Sequence, residues 1–107
     1  MIQLTEICYD LDGNPYERII NVPDSILVKD ELSNRIGGGK SIVIVPGIGK
    51  YEVKETRNEV ARKVLEWRLA MEGYRIFTKR ASIDGDYDVA NLYYDELKRL
   101  AGLEEQP

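Results

Sequence analysis

Asp84, Asp86 and Asp88 stand at the one-three-five spacing of a calcium-binding loop, the first pattern in this chain that could do chemistry. The loop fails at two positions. Its sixth position needs a glycine for the sharp turn and is Val89, and its twelfth, normally a bidentate Glu, is Asp95. Asp86 or Asp88 as the N-cap of a helix, with the other carboxylates near the positive end of the helix dipole, explains the cluster better. Asp84, Asp86, Asp88 and Asp95 could still serve a metal-assisted hydrolase or nuclease, which is kept as the alternative from a different class. Asp10, Asp12 and Asn14 imitate the same spacing more weakly, and turn chemistry accounts for them.

The second candidate is Gly37-Gly38-Gly39-Lys40-Ser41, which resembles the end of a phosphate-binding loop. Such a loop needs an earlier glycine where Asn34 stands, and a helix start to face the phosphates. The run after Lys40, Ser-Ile-Val-Ile-Val, is β-branched and reads as a strand. Nucleotide binding at Lys40 and Ser41 is therefore set aside. The glycines read as a connection using positive φ angles, or as a mobile contact loop formed by Gly37, Gly38, Gly39 and Lys40.

Other chemistry is excluded by composition. The 107 residues contain no histidine and one cysteine, Cys8. Internal disulfides, multi-cysteine zinc sites and histidine-based nucleophilic systems cannot be built from one such chain. Cys8 reads as a small buried strand residue. No catalytic residue, cofactor site or metal site is assigned, and the expectation is a protein that is not an enzyme.

The elements that position these residues follow from periodicity. Residues 2–9 and 16–22 read as strands around the Asp12-Gly13 turn, 25–31 as a third strand, and 41–45 with the segment after Pro46-Gly-Ile-Gly49 as a hairpin. Thr56 and Glu59 form a capping box. The helix it opens carries Val60, Val64, Trp67 and Met71, flanked by Ala61 and Leu65, on its apolar face, and Gly73 is expected to cap its end. Tyr74 to Lys79 reads as one more strand. A second helix runs over 86–101, with Val89, Leu92 or Tyr93, Leu97 and Leu100 as its apolar face and Gly102 as its stop. The fold class is α+β: a small antiparallel β-meander (1–55), then helix (56–73), strand (74–80), helix (86–101) and tail (102–107), in one domain with the helices on one face of the sheet.

Charge is segregated. Residues 1–56 carry six basic and nine acidic side chains, 57–80 seven and three, and 81–107 two and seven. The segments either neutralise one another in the fold or a homo-oligomer, or leave a basic patch at Arg62, Lys63, Lys79 and Arg80 for an acidic partner. The net charge of −4 argues against nucleic acid as that partner. The start of the chain lacks the pattern of a signal peptide, and no apolar run approaches the ~20 residues of a membrane span, so a cytoplasmic location is expected.

Met-Ile-Gln-Leu-Thr at the start, Gly13, Asn21, Ile26, and above all Tyr51-Glu-Val-Lys-Glu-Thr56 followed by Asn58-Glu-Val-Ala-Arg-Lys-Val-Leu-Glu-Trp-Arg68 resemble the flagellar FlbD family over about residues 1–68. The resemblance implies a non-enzymatic accessory protein and transfers no catalytic residue. The glycine-containing insertion between Lys29 and Lys40, and everything after Gly73, depart from the family pattern. A phage-borne relative, acting in assembly or on a host protein and associated with the virion, fits the same residues. The expected function is a small protein-binding or assembly module with a protein partner, itself included as a homo-oligomer through exposed sheet edges. A phage structural protein that self-assembles is the further alternative.

Overall fold

The computed structural model describes residues 1–30 and 38–103. Five strands are followed by two helices: β1 (Ile2–Tyr9), β2 (Pro15–Val22), β3 (Leu27–Asp30), β4 (Ser41–Val45), β5 (Gly49–Val53), α1 (Arg57–Asp84) and α2 (Asp88–Leu100). The α+β class and the five expected strand regions before Thr56 are observed. The strands form one antiparallel sheet in the order β2-β1-β5-β4-β3, so the meander covers only β3 to β5. The β1-β2 hairpin joins it through β5 and puts β2 and β3 on opposite edges.

Local chemistry sets each turn. At the β1-β2 tip the Asp10 carboxylate accepts from the amides of Asp12 and Asn14, and Gly13 takes the left-handed conformation that a side chain would disfavour. Cross-strand partners project to the same face, which gathers Ile2, Leu4, Val22, Val43, Val45 and Val53 into a buried layer. Val60, Val64 and Trp67 of α1 close that layer from one side. Cys8, expected to be buried, is half-buried.

The passage from sheet to helix is built by consecutive residues. Lys54 donates its amide to the carbonyl of Thr5 at 2.8 Å, and the Glu55 carboxylate accepts the Thr5 amide at 2.9 Å. The buried Ser41 hydroxyl donates to the Glu55 carbonyl at 2.8 Å. Thr56 then caps α1 through the expected reciprocal bonds with Glu59.

Two expectations fail beyond Met71. Gly73 does not end the helix, and Tyr74 to Lys79 is not a strand, because α1 continues without a break to Asp84 and is capped by Gly85 at φ 78°. The aromatic and β-branched content of Tyr-Arg-Ile-Phe-Thr favours a strand locally, but packing on α2 overrides it. Phe77 stacks on Tyr93 with ring centroids 5.6 Å apart, Tyr74 lies 5.9 Å from Tyr94, and Ala70 and Ala81 are buried. The distal half of α1 and α2 thus make a helical hairpin that extends past the sheet. α2 starts two residues later than expected, with Tyr87 as its N-cap; Asp86 accepts the Asp88 amide from outside the helix. Its end is as expected: Gly102 is left-handed, its amide donates to the Arg99 carbonyl, and the Leu103 amide donates to that of Lys98, the paired bonds of a Schellman motif.

Candidate functional site

The sheet covers only the first three turns of α1. Past Trp67 the face that packs on Val43 and Val53 continues into open space through Met71, Tyr74 and Thr78, at helical spacing of four, three and four residues. Met1, Asn21 and Asp24 bound this opening on the sheet side, and Tyr94, Leu97, Lys98 and Leu103 bound it on the α2 side. The result is one groove in two compartments of about 470 and 870 Å³, which share Trp67, Met71 and Tyr74 as their floor. The smaller compartment is almost wholly apolar in its floor; the larger carries charge along its rim.

The rim is mostly cationic. Arg68 pairs with Asp24 at 3.2 Å, and Arg75 pairs with Glu72 at 2.6 Å. The hydrogen bonds between Arg75 and Glu72, reinforced by their charges, raise the Arg75 pKa and lower that of Glu72, so both stay ionised. Lys79 makes no ion pair among the described residues. Lys98 sits 5.3 Å from the centre of the Tyr94 ring, within cation–π range. The Thr78 hydroxyl on this stretch of helix is buried without a hydrogen-bond partner, which no other side-chain N or O atom among the described residues is.

The candidate residues named from sequence fare differently. Arg62, Lys63, Lys79 and Arg80 do not form one patch, because all four lie on the same helix and the two pairs are separated by roughly 24 Å along its axis. Lys63 points back to the sheet and donates to the Gln3 carbonyl at 2.9 Å, while Arg80 faces Asp84 at 3.7 Å. Only Lys79 of the four lines the groove. The continuous helix keeps the two pairs apart.

Gly37 lies outside the described residues. Gly39 is buried, without a positive φ, and close to β5: its amide faces the Glu52 carboxylate at 3.3 Å, and a Cβ there would stand 2.8 Å from the Val53 carbonyl oxygen. The residue is glycine because the backbone approaches closely, not for a left-handed turn. Gly38 is half-buried and Lys40 exposed; the latter donates its amide to the Val53 carbonyl and is followed by β4, with no helix start nearby. Among the described residues, no three Asp, Glu or Cys side chains converge as metal ligands; Asp84, Asp86 and Asp88 span the interhelical turn and Asp95 lies on α2.

Met71, Tyr74 and Tyr94 were not singled out from sequence as surface. Trp67, Met71, Tyr74 and Thr78 keep one helical spacing across Gly73, and that register was the signal for a groove-lining face. The run Val53 to Val60, which carries the family resemblance, is the sheet-to-helix junction described above. No helix of the described residues is long and apolar enough to cross a membrane. No family model, curated protein or solved structure matches this chain.

Proposed function

We propose that this chain is a small protein-binding module that acts by contact, taking an acidic amphipathic segment of a partner into the groove between the sheet edge and the helical hairpin. The observation that carries the reading is the groove floor of half-buried Trp67 and Tyr74 and exposed Met71, under a rim where Arg68, Arg75, Lys79 and Lys98 outnumber Asp24 and Glu72. An apolar floor supplies the affinity of a helix-in-groove contact, and the rim charges select an acidic sequence and speed its encounter. The groove also holds the single tryptophan of the chain, which gives binding an intrinsic optical signal.

Selection from a random peptide display library against the whole chain tests this. Acidic amphipathic peptides that shift Trp67 emission, and that lose most of their affinity to the Arg75→Glu/Lys98→Glu variant, are the expected outcome. Peptides of no common charge, or binding unchanged in that variant, would remove the groove as the site.

A further inference from the structure

A second surface runs along α1 beside the groove. Leu65, Leu69, Ile76 and Ile83 project from α1 with 58, 63, 47 and 83 % of their surface exposed. With Glu72 and Lys79 they repeat at intervals of four, three, four, three and four residues, the spacing of a coiled-coil seam. By the 3.6-residue turn the apolar members of this stripe lie about 100° or more around the helix from the sheet-facing Val60, Val64 and Trp67. Exposed Val89 of α2 shares a small cleft with Arg80 and Asp84 of α1.

We infer that this face binds a second copy of the chain, with the two α1 helices antiparallel, so that two hairpins close into a four-helix bundle. The charge order along the stripe selects this occupant and this direction. A parallel pair would stack Glu72 on Glu72 and Lys79 on Lys79 inside the seam, where like charges are destabilising. The antiparallel register sets Leu65 against Ile83 of the second copy, Leu69 against its Lys79 and Glu72 against its Ile76, which leaves each Glu72 one layer from the other chain's Lys79. A twofold axis level with Tyr74 makes that contact twice. Leu65 to Ile83 spread the exposed apolar side chains over roughly 27 Å of α1, a continuous strip of the kind that pairs of helices bury on association. The seam borders the groove and shares Glu72 and Lys79 with its rim, while Leu65, Leu69, Ile76 and Ile83 lie outside it, so the Leu69 and Ile76 changes test the seam apart from the groove.

Sedimentation equilibrium of the purified chain, from low micromolar to millimolar concentration, tests it. The parent chain is expected to dimerise, and Leu69→Glu with Ile76→Glu, both at exposed positions, to weaken the dimer by about a hundredfold or more while circular dichroism stays helical. Glu72→Lys and Lys79→Glu are each expected to weaken it about tenfold, and the double exchange to restore it. A parent chain that stays monomeric throughout overturns the inference, as does a dimer indifferent to the Leu69 and Ile76 changes. A dimer that those changes abolish but the double exchange fails to restore overturns the antiparallel register.

Discussion

The ring of Tyr93 occupies the space that a side chain at Gly73 would need: a Cβ built on Gly73 would stand 2.3 Å from Cε1 of Tyr93. Two helices meet closely at that point, and the ring also stacks on Phe77, one turn farther along α1. Gly73→Ala would gain about 1 kcal/mol in helix propensity, but the ring cannot retreat without losing its stack, and overpacking of this kind costs typically 1–3 kcal/mol. The clash wins, so a net loss of about 1 kcal/mol is expected in urea unfolding. In a Tyr93→Ala background the same change should become stabilising, and failure of that sign reversal would show that the contact is not the reason for the glycine.

Glu55 and Ser41 hold the corner where β1, β4 and β5 hand over to α1. Glu55→Ala leaves the Thr5 amide without its acceptor, and Ser41→Ala removes the donor to the Glu55 carbonyl. Each is expected to cost about 1–2 kcal/mol, the usual consequence of stranding a half-buried or buried polar partner. Because both act on one corner, their combination should cost less than the sum. Strict additivity in a double-mutant cycle would contradict that coupling.

Acid is expected to loosen the helical hairpin. Hydrogen bonds from Arg75 and its charge lower the Glu72 pKa, and a hydrogen bond from Arg99 lowers that of Glu96 against a smaller opposing effect of burial. A carboxylate with a depressed folded pKa contributes stability that is complete above its unfolded value and lost as pH falls through the folded one. The loss should therefore begin just below the ordinary glutamate range of about 4.3 and deepen under it. Both pairs are solvent-exposed, so the effect is small and salt-sensitive. Helical dichroism followed through an acid titration should decline less steeply in Glu72→Gln/Glu96→Gln than in the parent; superimposable acid limbs would refute the assignment.

The fold was legible where short-range chemistry decides it. The Asp12-Gly13 turn, the β4-β5 hairpin, the Thr56-Glu59 capping box and the Gly102 stop each depend on residues within a few positions of one another. What was missed depends on distant residues. Gly73 looks like a helix end until Tyr93 is known to lie against it, and Tyr74 to Lys79 looks like a strand until Phe77 and Tyr74 are seen against α2. The strand order, in which β1 joins β5, rests on contacts some fifty residues apart, such as Thr5 with Glu55. Reading 74–80 as a strand also hides the groove, because the groove floor is the continuation of α1 through Met71, Tyr74 and Thr78.

α1 runs 28 residues without interruption, roughly 42 Å, and its two ends serve different neighbours, the sheet at one and α2 at the other. It therefore works as a shaft that fixes phase. One residue inserted near Ala70 would turn everything beyond it by about 100° and displace it by 1.5 Å, carrying the groove floor out of line with Asn21 and Asp24. Seven inserted residues would restore the phase to within about 20° and only lengthen the shaft. Among lengths of this helix, angular agreement is thus the constraint and distance the tolerance.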